Sequence, residues 1–174
     1  MGKFLIAYAA ALAALTPAAA ASAAPAHRPA HRLAHVRGVE DPRAFVAQRF
    51  AAYGPDTEHV PPDPVWVYSP RLAALSATYD RWQRAHSDEV GSIDFDWWIN
   101  AQDWVLSRIS VTAADTGPNT RTVTAHWHNS DREDSSRFLF VRIGGRWYLD
   151  DVVHGSGHGD EGWTLSELLR HPAQ

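Results

Sequence analysis

The 174-residue chain is 45% hydrophobic and 21% charged, with a formal charge of −4 and no cysteine. These values fit one globular domain with an appendage and exclude disorder, two large domains and a repeat array. The acidic balance gives a nucleic-acid role no electrostatic support, and the lack of thiols excludes disulfides, thiolate metal sites, a cysteine nucleophile and a lipidated cysteine.

Residues 1–23 read as a secretory signal: Lys3 as the positive start, an apolar run over 4–15 too short to span a bilayer, and Ala21-Ser22-Ala23 as the small-x-small cleavage pattern. Cleavage is expected after Ala23, since a cut one residue later would leave Pro25 first. The mature chain then holds fifteen arginines, no lysine and twenty acids, for −5. The expected compartment is periplasmic or extracellular, with no membrane span in the mature chain.

Residues 24–40 form a His/Arg-rich linker, with His27, His31 and His35 in a short quasi-repeat and no acid before Glu40. Its chemistry suits a solvated spacer, a basic arm on anionic polymers or weak transition-metal capture. The domain proper is expected over 41–174.

Asp41-Pro42 opens a first helix as cap and first turn, with Phe45, Val46, Phe50 and Tyr53 as its apolar stripe. Gly54-Pro55 ends it, and a proline-rich loop runs to residue 64. Ser69-Pro70 repeats the device, and Leu72, Leu75, Tyr79 and Trp82 predict a second helix ending near His86. Residues 87–104 mix acids and aromatics without a clear period.

From Val105 the period becomes two, and four strands are predicted: one from 105, one holding Thr122 to His128, one over 137–143 and one over 146–153. On the second, Val123, Ala125 and Trp127 share one face while Thr122, Thr124, His126 and His128 share the other. Gly144-Gly145 marks a hairpin. A glycine-rich stretch leads to a short C-terminal helix, with a capping box from Thr164 to Glu167 and a staple of Trp163 on Leu168. The expected class is α+β: N-terminal helices packed on a curved four-stranded antiparallel sheet.

The motifs Tyr68-Ser69-Pro70-Arg71-Leu72, Asp94-Phe95-Asp96, Asn100-Ala101-Gln102-Asp103-Trp104, the Gly144-to-Val152 hairpin and Thr164-Leu165-Ser166-Glu167 resemble the YbjP/YqhG-type family of small exported bacterial proteins without assigned activity. The match spans roughly 41–170. The Asp-Phe-Asp to Gln-Asp-Trp block is its most specific part. The resemblance implies a cone-like, nuclear-transport-factor-like fold.

Asp94, Asp96, Gln102 and Asp103 are the first candidates for chemistry, because clustered carboxylates can hold a cation, accept hydrogen bonds from a ligand or keep a proton for general acid work. The same residues can simply cap turns. Asp150 and Asp151 alternate faces on the last strand, and an inward Asp151 would be desolvated and suited to proton transfer. His126 and His128, with Glu133 downstream, form a metal-capable pair that lacks the glycine, proline and later histidine of a cupin. Trp82, Trp104, Trp127 and Trp147 fall on core positions, whereas Trp66, Trp97 and Trp98 fit no stripe. No nucleophile elbow, phosphate loop or dinucleotide fingerprint occurs.

The reading that follows is an exported, non-catalytic module binding a small molecule or a cell-envelope protein, with ligand-binding candidates Asp94, Asp96, Gln102, Asp103 and Asp151 and no cofactor. The alternatives are a dehydratase or isomerase using inward carboxylates, and an inhibitor or immunity-like protein of an envelope enzyme.

Overall fold

The structure, a computed structural model, describes residues 38–54, 60–155 and 162–173. The expected signal segment and nearly all of the His/Arg-rich linker lie outside the described residues.

Helix α1 (Pro42–Ala51) starts as expected: Asp41 accepts a hydrogen bond from the Ala44 amide at 3.1 Å, and Pro42 occupies the first turn. Its inward stripe holds Val46 and Phe50, and also Arg49. Helix α2 (Pro70–Ala85) is capped by Ser69, whose Oγ accepts from the Leu72 amide at 3.1 Å and donates to Asp150 at 2.6 Å. The cap thus also ties the helix to the sheet. Among the described residues no helix is long and apolar enough to cross a membrane.

The sheet is antiparallel and open, in sequence order, with five strands rather than four: β1 (Leu106–Gly117), β2 (Thr120–Asn129), β3 (Arg132–Ile143), β4 (Arg146–His154) and β5 (Trp163–Thr164). β5 pairs two residues against the end of β4 and leads into α3 (Leu165–Arg170). β3 begins at Arg132, not near Arg137, so β2 and β3 pair along their whole length from Asn129–Arg132 to Thr120–Val141. Val123, Ala125 and Trp127 are fully buried, as their alternation predicts.

Three register shifts interrupt the ladders, one of them at the Asp115–Gly117 end of β1. Between Ser107 and Ser110 the β1–β2 register shifts where Arg108 adopts φ +51°. Opposite Leu139 and Phe140, β4 carries one extra residue, which increases local twist. β1 is an edge strand on which only Val111 is buried, and Arg43 of α1 donates Nε–H to the Val111 carbonyl at 2.9 Å.

The core is aromatic. Trp98 stacks on Phe138 at 4.9 Å between ring centroids, and Phe50 meets Trp127 at 5.0 Å. Trp97 and Trp98, expected off any stripe, are buried; Trp66 is exposed and Trp82 half-buried at the surface of α2.

The C-terminal capping box does not form. Thr164 makes no side-chain cap bond; instead Asp151 on β4 accepts from the Ser166 amide at 3.0 Å and from the Val152 amide at 2.9 Å. A carboxylate supplied from the sheet therefore does the capping, at the end of the helix dipole that favours negative charge.

Candidate functional site

The segment between α2 and β1 owes its shape to tight local turns. Gly91 lies so close to Tyr79 that an added Cβ would stand 2.4 Å from the phenol oxygen, which accepts from the Ile93 amide at 3.0 Å. Asp96 then closes a loop with Ala101: its amide donates to the Ala101 carbonyl at 2.9 Å, and its Oδ1 accepts from the Trp98 amide at 2.9 Å. Asn100, at φ +52°, completes the reversal, a conformation Asn tolerates better than most residues. This turn drives Trp97, Trp98 and Ile99 inward and leaves Asp94 and Gln102 outside.

A cleft of about 540 Å³ opens beside this turn, within the usual range for small-molecule sites. Asp94, Asp96 and Gln102 line it, as do Asp63 from the proline-rich loop, Arg49 from α1 and the walls of Trp97, Trp98 and Trp104. The Arg49 guanidinium donates to the Pro62 carbonyl at 2.7 Å and the Pro61 carbonyl at 2.8 Å, and lies 5.0 Å over the Trp98 ring. Its Nε is buried without a hydrogen-bond partner.

Tyr53 donates to Asp96 Oδ2 at 2.6 Å, and Tyr68 donates to Asp63 Oδ2. Burial first, then the neighbouring carboxylate, pushes both phenols far above the ordinary tyrosine range, so they stay neutral donors. Crowding by protein around its carboxyl raises Asp63 above the usual carboxylate range, even though the residue as a whole reaches solvent. The Tyr68 hydrogen bond, the nearby Trp98 indole and the Arg49 charge oppose that rise, and Asp96 adds to it. The Trp98 Nε1 closes no hydrogen bond of normal geometry.

The other candidates fall elsewhere. Asp103 is exposed in a separate hollow of about 410 Å³ with Asn129, Ser130 and Arg132, and its carbonyl accepts from Asn129 at 3.0 Å. Asp151 is buried as the inward alternative required, but it serves α3 and Arg71, at 3.2 Å, instead of the cleft. His126 is exposed and His128 half-buried on the outer face of the sheet, with Glu133 opposite His128 in the ladder. Among the described residues no group of three or more His, Asp or Glu is arranged to hold a metal ion.

Sequence reasoning missed Arg49, Asp63, Tyr53 and Tyr68 as partners of the site. Arg49 carried a signal: it interrupts the apolar stripe between Val46, Phe50 and Tyr53. Asp63 carried only its place among Pro61, Pro62 and Pro64.

A second polar cluster lies inside the sheet. Ser136 Oγ is 3.0 Å from His154 Nδ1, His154 Nε2 is 3.0 Å from Asp134 Oδ1, and Arg132 Nη2 is 2.9 Å from Asp134 Oδ2. Asn100 Nδ2 also reaches His154 Nε2 at 3.0 Å, and Trp163 stacks on the imidazole. The residue types are those of a hydrolase triad, but Ser136 is 1% exposed, so its hydroxyl is sealed from any substrate. Burial pushes Asp134 up, but the His154 hydrogen bond and charge, Arg132 and the Ser135 amide together bring it below the ordinary value. The cluster fastens Asn100, and with it the Asp96 turn, to β3 and β4.

Comparisons of the chain with family models, with curated proteins and with solved structures return no match.

Proposed function

We propose that the chain is an exported binding module that holds a small ligand, without covalent chemistry, in the cleft between α1, the proline-rich loop and the Asp94–Trp104 segment. The observation that carries this reading is the meeting of Asp63, Asp94, Asp96 and Gln102 with indole walls around one cavity of about 540 Å³. Few polar groups converging in a largely apolar concavity is the usual form of a ligand site. Export rests on the signal pattern of residues 1–23. Membership of the YbjP/YqhG-type family and its cone-like architecture rest on the quoted motifs; the register shifts at Ser107–Ser110 and at Asp150 are compatible with a curved sheet.

Asp94 and Gln102 are exposed, whereas Asp96 holds the turn. Asp94→Asn and Gln102→Ala are therefore expected to weaken ligand binding several-fold with melting temperature unchanged, while Asp96→Ala unfolds the protein at lower temperature. Isothermal titration of a metabolite panel, paired with thermal melts, measures both; unchanged binding of every ligand in the two exposed variants would remove the cleft as the site.

A second reading is favoured by Asp63 alone. A carboxyl held above its ordinary range beside a neutral tyrosine is the equipment of a general acid, and would suit a dehydratase or isomerase. Turnover abolished by Asp63→Asn with binding retained would select it over simple binding.

A further inference from the structure

We infer that His154 is a proton-operated latch on the Asp96–Ala101 turn: with Nε2 bare it holds the Asn100 side chain, and with Nε2 protonated it holds Asp134 and lets Asn100 go. The device does not depend on what the cleft takes, although the turn it controls carries Asp96, Trp97 and Trp98 of the cleft wall.

One nitrogen faces two partners that exclude each other. His154 Nε2 lies 3.0 Å from Asn100 Nδ2 and 3.0 Å from Asp134 Oδ1. An amide nitrogen only donates and a carboxylate oxygen only accepts, so the first contact needs a lone pair on Nε2 and the second needs a proton there. The Asn100 amide cannot escape by turning over. Its Oδ1 accepts from Trp163 Nε1 at 2.9 Å, and an indole nitrogen has nothing but a proton to offer. Flipping the amide would set donor against donor at Trp163.

With Nε2 bare, Nδ1–H donates to Ser136 Oγ at 3.0 Å and Nε2 accepts from Asn100. Asp134 keeps the Ser135 amide at 3.0 Å and Arg132 at 2.9 Å. It can therefore spare the histidine, whereas Asn100 Nδ2 has no other partner among the described residues. The one unfavourable contact is Asp134 Oδ1 against the Nε2 lone pair, and that is the contact a proton relieves. A proton arriving at the ring has Nε2 as its only open lone pair. Burial works against the charge on Asp134, but its neighbours keep it ionised, and a buried histidinium needs such a counter-charge. The new N–H then meets Asn100 donor to donor, which costs the amide its hydrogen bond. Arg132 still donates to the Asn100 carbonyl at 2.9 Å. The backbone tie stays, and the side-chain tie is the one the proton cuts.

The imidazole is 3% exposed and faces few other charges. Trp163 of β5 stacks on it with ring centroids 5.2 Å apart, and Trp127 of β2 lies 6.5 Å away. From α3, Glu167 and His171 share a hollow of about 560 Å³ with it, but Glu167 is engaged by Arg170 and lies 3.8 Å from His171. On its own strand Asp151 serves the Ser166 amide and Arg71. Among the described residues, the carboxylate in contact with the ring is that of Asp134.

The test follows nitrogen and proton resonances of the isotope-labelled full chain, assigned through bonds, from about pH 8 down to the onset of acid unfolding. Nε2 is expected to be bare at the upper end and to gain its proton in one step, with the Asn100 side-chain amide protons moving upfield in the same step. The Ile99 and Ala101 amides donate to the Asp96 carbonyl at 3.2 and 3.3 Å. Their hydrogen exchange is expected to quicken at least about fivefold across that step relative to amides of β2, once the intrinsic effect of pH is removed. Asn100→Gly keeps the left-handed backbone of the turn, at φ +52°, but has no amide to release. In that variant the exchange of Ile99 and Ala101 is expected to show no step.

An Nε2 already protonated at the upper end overturns the latch, as does an Nε2 that stays bare until the protein unfolds. So do Asn100 protons that ignore the His154 step, or a step in turn exchange that survives Asn100→Gly. The wild-type resonances decide the matter should Asn100→Gly fail to fold. None of these outcomes touches the reading of the cleft as a ligand site.

Discussion

Asp63 and Asp96 show how one side-chain type takes opposite roles a short distance apart. Asp96 gives both oxygens to its own turn and to Tyr53, and is a structural carboxylate that happens to line a cavity. Asp63 gives one oxygen to Tyr68 and is crowded enough for its pKa to rise. An acid whose folded pKa lies above its unfolded value binds more protons when folded, so stability falls as pH rises between the two values. At neutral pH the ionised form is therefore a liability. Asp63→Asn, which can still accept from Tyr68, is expected to raise the melting temperature slightly at pH 7, and this gain should disappear below about pH 4, where the native acid is itself protonated. Thermal melts across pH check it. A gain in the Asp63→Asn variant would mark Asp63 as a residue kept at a cost to stability, as functional residues often are.

Secondary structure was legible wherever chain chemistry was local. Both N-terminal helices begin at their cap-and-proline pairs, and α2 stops at His86. The first five residues of β3 carry no apolar alternation for a physical reason: its inward members near the start are Asp134 and Ser136, polar side chains whose burial is compensated by His154 and Arg132. Alternation of apolar residues cannot reveal a strand whose buried face is polar. β5 is two residues long and carries no period at all. At the C-terminal helix the sequence pattern matched a capping box, but the carboxylate that caps comes from β4. Asp151→Ala is expected to cost about 2–3 kcal/mol, through the lost cap and the lost Arg71 contact, whereas Thr164→Ala should stay within about 0.5 kcal/mol. Urea midpoints of the two variants separate the devices.

Assembly of the site joins segments far apart in the chain: Arg49 on α1, Asp63 in the proline-rich loop, and Asp94 to Gln102 before β1. The acid–aromatic block announced itself by composition, but nothing local says that Arg49 and Asp63 meet it, which is why Asp103 and Asp151 were grouped with it instead. The buried His154–Asp134 pair, with Arg132 beside it, locks that block to the sheet. Because Asp134 has a lowered folded pKa, its contribution is present above the unfolded value and is lost as pH falls through the folded one. Acid unfolding should therefore steepen below about pH 4. Asp134→Asn is expected to cost about 3 kcal/mol at neutral pH by stranding its partners, and to flatten that acid limb. Denaturant titrations from neutral to strongly acidic buffer measure both.

The outer edge of β1 has a consequence for colloidal behaviour. Twelve residues of open ladder would template fibre growth if presented as a flat rail. Arg43 plugs one carbonyl at the middle of that rail, and the left-handed kink at Arg108 spoils its straightness nearby. Arg43→Ala should accordingly leave the monomer folded but prone to self-association, visible as light scattering that climbs with protein concentration. In any compartment that lacks ATP-driven chaperones, protection of such an edge has to be built into the fold itself.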